Sequence, residues 1–206
     1  MATPNGPGPG QSASPARPSN WNLPNLITIV RILLAPLFIW LLLADAGNDG
    51  PLRWWAAGLF IVAIATDGID GAIARRQNQV TDLGKLLDPI ADKVLTGGAL
   101  VGLSILGELP WWVTIVILVR EIGITVFRFA MLSDHVIPAS RGGKLKTVMQ
   151  SVAISLALVP LHLVFGDWVH WLNGITMTIA VVLTVYTGVE YLVSGWRETR
   201  KQRRDA

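Results

Sequence analysis

The sequence predicts an all-α polytopic membrane protein with six transmembrane helices, and three observations carry that expectation. Of its 206 residues, 51% are apolar and 15% charged, with a mean hydropathy of +0.49, whereas a soluble domain carries about 25% charged residues. The charges are also unevenly spread: residues 101–119 contain only Glu108, and 148–166 contain none. Length is the third observation, because a bilayer core of about 30 Å takes roughly 20 apolar residues per helix, or about 120 for six. The same figures exclude a soluble enzyme, a disordered chain and a nucleic-acid-binding module. Continuous rather than alternating apolar runs argue against a β-barrel. With no cysteine in the chain, disulfides, thiol catalysis and Cys-ligated zinc are excluded as well.

In chain order, residues 1–20 hold five of the twelve prolines and, after Met1, no large apolar side chain. They cannot build a core and are expected to form a disordered cytoplasmic tail. No basic segment there leads into a short apolar stretch with a cleavage site, so no signal peptide is expected. A six-helix transmembrane catalytic domain is expected over 21–196. Its spans read as about 25–44, 54–75, 86–106, 110–132, 146–165 and 174–195. The first is apolar around a single charge, Arg31, and the second opens on Trp54 and Trp55 and ends near Asp67 and Asp70. The third carries Asp88, Asp92 and Lys93, and the fourth Arg120, Glu121 and Arg128. The fifth has only Lys146, the sixth only Glu190, and residues 197–206 form a basic cytoplasmic tail.

Connections after the odd-numbered spans contain Arg53 as their one Lys or Arg, against Asp45, Asp49, Glu108 and Asp167. Those after spans two and four contain Arg75, Arg76, Lys85, Arg141 and Lys144, and the tail adds five more cations. Basic residues stay on the cytoplasmic side, so both termini are expected there, in a bacterial cell membrane. Trp40, Trp54, Trp55, Trp111, Trp112, Trp168 and Trp171 fall at the opposite ends, as an interfacial belt does.

Charges at membrane depth are costly, about 2.5–3.5 kcal/mol each on insertion scales, and their default reading is functional. Asp67 and Asp70 are spaced i,i+3 and Asp88 and Asp92 i,i+4, so each pair shares a helix face. The two helices form an antiparallel hairpin whose acidic ends meet at one depth. Four converging carboxylates need neutralisation. Oxygen-only donors favour Mg²⁺ or Mn²⁺, and such a cluster suits two ions about 3.5–4 Å apart. A buried salt-bridge network or a proton or cation path remains open on spacing alone. Gly68, Gly71, Ala72, Ala74 and Gly84 near these carboxylates permit close approach of a ligand or tight helix packing. His135, His162 and His170 have no ligand spacing or acidic partner legible in sequence and are expected to be satisfied or interfacial.

Read continuously, residues 67–92 are DGIDGAIARRQNQVTDLGKLLDPIAD. This segment resembles the motif of the CDP-alcohol phosphotransferase family, D-x2-D-G-x2-A-R-x8-G-x3-D-x3-D, with all eight fixed positions filled. The resemblance implies that family's six-helix fold and a reaction in which an alcohol displaces CMP from a CDP-linked lipid, CDP-diacylglycerol. It implies Asp67, Asp70 and Asp88 as principal metal ligands, with Asp92 as general base and further metal contact. It also implies that Gly71, Arg75 and Thr81 bind the CDP-lipid. NLPNLITIVR adds Asn25 and Thr28 to that pocket. Homodimers and surrounding membrane lipids are the partners expected from the family.

The segments VREIGITVFR and GKLKTVMQ resemble the branch of the family whose acceptor is sn-glycerol 3-phosphate and whose product is phosphatidylglycerophosphate. That resemblance assigns Arg120, Arg141, Lys144 and Lys146 to the acceptor phosphate, where charge-assisted hydrogen bonds are strongest. Arg31 and Arg128 could join them, and Glu121 could hold Arg120 or Arg31 in place. Inositol phosphate, or phosphatidylglycerol as in a cardiolipin synthase, stays open as acceptor within the family. A small cation or proton transporter is the rival from another class, although no second half of the sequence echoes the acidic hairpin.

Overall fold

The computed structural model describes residues 23–76, 81–131 and 141–205, with side chains over 25–67, 81, 84, 87–126, 142–194 and 196. The expected disordered tail, 1–20, lies outside the described residues. Among them the chain is all-helical: α1 (Leu23–Asp45), α2 (Pro51–Arg76), α3 (Asp82–Ile105), α4 (Trp111–Met131), α5 (Arg141–Leu158), α6 (His162–Phe165) and α7 (Trp168–Asp205). Six are long, in the order expected.

The differences lie at helix ends. The third helix starts at Asp82 rather than near 86 because Thr81 caps it, its hydroxyl accepting from Gly84 N at 3.0 Å. The fifth span does not run from 146 to 165. α5 begins at Arg141 and ends at Leu158, because Pro160 has no N–H with which to continue the helix. A one-turn helix, α6, takes up the remainder. The last helix does not stop near 195: it runs 38 residues, so the basic segment after 196 is helical through Asp205.

α1 packs chiefly against α2 and α3, and α5 against α7, with α2–α5, α3–α5 and α3–α4 contacts joining the two sets. Phe38 and Phe60 are fully buried where α1 meets α2, their ring centroids 5.4 Å apart. On α3, a Cβ at Gly98 would fall 2.7 Å from Ile39 Cδ1, and one at Gly102 2.6 Å from Leu42 Cδ2. These two glycines, one turn apart, let α1 lie close on α3 as small residues do in membrane helix pairs.

Large apolar side chains cover much of the surface of the described helices: Leu33, Val62 and Val119 are 70%, 64% and 67% exposed. Such a surface belongs in lipid, and the protein is a membrane protein. Two helical stretches, Asn25–Asp45 and Trp168–Ser194, are long and apolar enough by length and composition to cross a bilayer. All seven tryptophans of the expected belt are exposed.

At the end remote from the aspartates, Arg53 is 1% exposed. Its Nη1 donates to Glu108 Oε1 at 2.9 Å and its Nη2 pairs with Glu108 Oε2. Its Nε and Nη2 also donate to Leu158 O at 2.7 Å and Ala157 O at 2.9 Å. These are carbonyls left over at the end of α5, and a guanidinium satisfies them well. The one cation of the connections after the odd-numbered spans is thus a clamp between α2, the α3–α4 turn and α5. His162 does have an acidic partner, contrary to the sequence expectation: its Nε2 lies 3.2 Å from Asp49 Oδ2, and its ring is 4.8 Å from that of His170. His135 lies outside the described residues.

Candidate active site

The site is organised by a polar stripe on α1. Asn25, Thr28 and Arg31 follow at i, i+3 and i+6, each about 60° round the helix from the last and so within about a third of its circumference, and all are at most 3% exposed. Each meets a different part of the α2–α3 hairpin. Asn25 Nδ2 donates to Thr81 Oγ1 at 2.8 Å, and Thr81 in turn lies 3.1 Å from Asn25 Oδ1. Thr28 donates its hydroxyl to Asp88 Oδ1 at 2.8 Å. The guanidinium of Arg31 forms an ion pair with Asp67. Three buried polar groups of α1 thus each find a partner on the hairpin, as buried polar groups must.

Gly84 explains how this stripe fits. A Cβ there would stand 2.7 Å from Asn25 Oδ1 and 3.3 Å from Thr81 Oγ1. Of the two alternatives open in the sequence, close ligand approach and tight packing, the described contact at this position is with Asn25 of α1.

Asp67 and Asp92 open into the same cleft of about 520 Å³, together with Arg31. Ile64 of α2, Leu95 of α3 and Val148 and Val152 of α5 form apolar walls, broken by Thr147 and Ser151. The cleft thus joins two carboxylates to a lateral apolar groove. Asp88 is exposed and held by Thr28. Asp70, Gly71, Arg75 and Arg141 stand on the backbones of α2 and α5, but their side chains lie outside the described residues, as does that of Arg128. Among the described residues no group of three or more His, Cys, Asp or Glu is arranged to hold a metal ion.

A second charged group lies beside the first. Lys146 Nζ and Arg120 Nη1 both bond Glu121 Oε1, the latter at 3.0 Å, and Arg120 Nη2 donates to Thr187 Oγ1 at 3.0 Å. Glu121 therefore holds Arg120, as the sequence reading allowed, but it also holds Lys146, while Arg31 belongs to Asp67. Lys146 adjoins Thr147, which lines the cleft that Asp67 and Asp92 enter. Lys146 is 4% exposed and Lys144 is exposed. Gln150 is buried one turn beyond Lys146 on the same face of α5. Sequence reasoning missed Thr187 and the Arg53 clamp: a threonine in an apolar helix is ordinary, and a loop arginine gives no sign of burial.

A different cavity, of about 550 Å³, lies at the far end among Arg53, Glu108, His162, His170 and Asn173. Arg53 and Asp67 are 14 positions apart on α2, about 21 Å at 1.5 Å per residue. Its charged groups pair with one another, Arg53 with Glu108 and His162 with Asp49.

The hairpin carboxylates and the helical frame agree with the class that comparison shows: residues 21–186 match the family model described as CDP-alcohol phosphatidyltransferase, and the chain belongs to that family. It is therefore a transferase. Among similar proteins is a "Probable phosphatidylglycerophosphate synthase" of Mycobacterium tuberculosis, 45% identical over 192 residues, covering 93% of this chain and 89% of the relative. A "CDP-diacylglycerol--glycerol-3-phosphate 3-phosphatidyltransferase" of Bacillus subtilis is 38% identical over 85% of this chain and 96% of its own length. One of the same description from Rickettsia felis is 38% identical over 82% of this chain and 93% of its own.

Proposed function

We propose that the protein transfers a phosphatidyl group from CDP-diacylglycerol to sn-glycerol 3-phosphate, releasing CMP and forming phosphatidylglycerophosphate. The observation that carries this reading is identity along almost the whole chain to relatives named for that reaction. The geometry agrees with it: a carboxylate cleft continuous with an apolar groove, and a cationic pair beside it.

The donor chemistry fits a hard divalent cation, because every titratable group of the hairpin that could ligate one is a carboxylate. Asp67, Asp70, Asp88 and Asp92 would hold two Mg²⁺ or Mn²⁺ ions. Bound there, they supply positive charge against the diphosphate. The apolar groove along α2 and α5 receives acyl chains, and Gly71, Arg75 and Thr81 take the cytidine nucleotide. Asn25 and Thr28 act on that side through Thr81 and Asp88, the groups they hold. Arg120 and Lys146, with Arg141 and Lys144 nearer the surface, bind the acceptor phosphate.

Asp92 takes the proton from the acceptor's primary hydroxyl. The freed oxygen attacks the phosphorus bearing diacylglycerol. The bond from that phosphorus to the bridging oxygen breaks, and CMP leaves with the electron pair.

The reading sets six helices across a bacterial cell membrane, with both termini and the site on the cytoplasmic side. Charge distribution between the connections supports it. It also takes the working form to be a homodimer, embedded in membrane lipids, with 21–196 as the catalytic domain. Incubation of the purified protein with CDP-diacylglycerol, Mg²⁺ and labelled glycerol 3-phosphate tests the reaction. Label must enter the lipid phase in step with CMP release and stop when the cation is chelated. CMP release without label transfer would sink the reading.

A further inference from the structure

One acceptor-side cation, Arg120, is held from the part of α7 that lies beyond the family match. Residues 21–186 match the family model, and Thr187 and Gly188 of α7 lie immediately beyond. Thr187 is 3% exposed. Its hydroxyl donates to Leu183 O at 2.7 Å, one turn back on its own helix. That bond uses the hydroxyl proton and turns a lone pair towards Arg120, whose Nη2 donates to it at 3.0 Å. Gly188 completes the seat: a Cβ there would press to 3.2 Å from Arg120 Cγ.

The guanidinium is thus fixed at both terminal nitrogens, Nη1 by Glu121 and Nη2 by Thr187. Each terminal nitrogen carries two N–H groups, so one on each is left for an oxyanion. The third member, Lys146, shares the same Glu121 oxygen. Two cations and one carboxylate leave a net positive charge, with both cations set at fixed positions by one acceptor atom. A free arginine would sample many rotamers, and ordering it on binding would weaken affinity.

We infer that Thr187 is a positioning residue, which with Glu121 presets the Arg120 guanidinium for the phosphate of the acceptor and so governs acceptor affinity. This rests on the proposed reading of Arg120 and Lys146 as acceptor ligands. Thr187 touches no reacting atom, so its removal acts on acceptor binding and not on the CDP-lipid.

The test uses the full-length protein in lipid vesicles and three variants. Thr187→Val removes the hydroxyl with little change of volume, and Thr187→Ser keeps it. Thr184→Val is the control: Thr184 is equally buried and back-bonds to Ala180 O at 2.6 Å. The expected result is that Thr187→Val raises the KM for glycerol 3-phosphate about tenfold, the size of one charge-assisted hydrogen bond. The KM for CDP-diacylglycerol should stay within about twofold, as loss of binding at one subsite implies. Thr187→Ser should restore the acceptor KM, and Thr184→Val should leave it near wild type. Equal changes in both KM values, or the same rise in Thr184→Val, would mean a merely structural hydroxyl and overturn the inference. Titration of glycerol 3-phosphate into the unreacting protein separates this from the reaction itself. If wild type binds the acceptor more tightly than Thr187→Val yet releases no CMP, the reaction is wrong and the positioning role stands. If both bind it equally, the positioning role is wrong whatever the turnover.

Discussion

Gly84→Ala reports directly on how the first helix is locked to the acidic hairpin. The new methyl carbon would stand 2.7 Å from Asn25 Oδ1, well inside ordinary van der Waals contact of about 3.5–4.0 Å. Asn25 is 3% exposed, and its amide is already bonded to Thr81. The amide must therefore leave Thr81, breaking the 2.8 Å bond and stranding a buried amide and a hydroxyl. Losing the bond costs about 1 kcal/mol, and leaving a buried polar group unsatisfied adds about 1–3 kcal/mol. Thr81 is also the cap of α3, so part of a cap worth about 1 kcal/mol is strained. Alanine's better helix propensity returns up to about 1 kcal/mol. The net expectation is about 2–3 kcal/mol of destabilisation, with a raised KM for CDP-diacylglycerol because Thr81 moves. Gly58→Ala is the matched control, since a Cβ there meets nothing within 4 Å. Thermal unfolding in detergent, alongside CMP release, reads both effects. Equal melting temperatures for the two variants would refute the packing argument.

Three further outcomes follow from the site and the clamp. Asp92→Asn should lower kcat by about 10²–10⁴, the usual contribution of a general base, while equilibrium binding of CDP-diacylglycerol persists; near-normal turnover would remove Asp92 from that role. Lys146→Ala should raise the KM for glycerol 3-phosphate more than Lys144→Ala does, because Lys146 is buried on Glu121 and Lys144 is exposed; the reverse order in steady-state kinetics would move the acceptor site outward. Glu108→Ala leaves the Arg53 charge buried with only two carbonyls and should destabilise the protein by about 3–5 kcal/mol, measured as a lowered midpoint of thermal unfolding; an unchanged midpoint would show that the clamp contributes nothing.

The sequence made the helical hairpin legible because its signal is local. Asp67, Asp70, Asp88 and Asp92 stand at helical spacings on consecutive helices, and their cost in an apolar chain marks them out. Helix order was equally readable, since continuous apolar runs of this length suit helices in lipid and little else. Ends were harder. Thr81 and Pro160 both lie inside the evidently polar or apolar segments they divide, and hydropathy does not register a cap or a missing N–H. Partner choice was least legible. Arg31 meets Asp67, 36 positions away, and Arg120 meets Thr187, 67 positions away. Nothing in the spacing of either pair announces the contact. Glu121 shows the limit of helical rules: Arg120 is its neighbour in sequence, yet the long guanidinium reaches back to it while both side chains lean towards α7 and α5. Gly84 was visible as a motif position, and only the bundle reveals that Asn25 fills the space beside it.

The central claim is transfer of a phosphatidyl group to a phosphorylated three-carbon acceptor. It is tested most directly by offering the purified protein CDP-diacylglycerol and Mg²⁺ with glycerol 3-phosphate, inositol, inositol phosphate, serine or phosphatidylglycerol in separate reactions, and identifying the lipid product by mass. CMP release with glycerol 3-phosphate should stand far above the others, and the product should carry one phosphodiester and one phosphomonoester. Preference for any other acceptor, or no CMP with any of them, would contradict the claim.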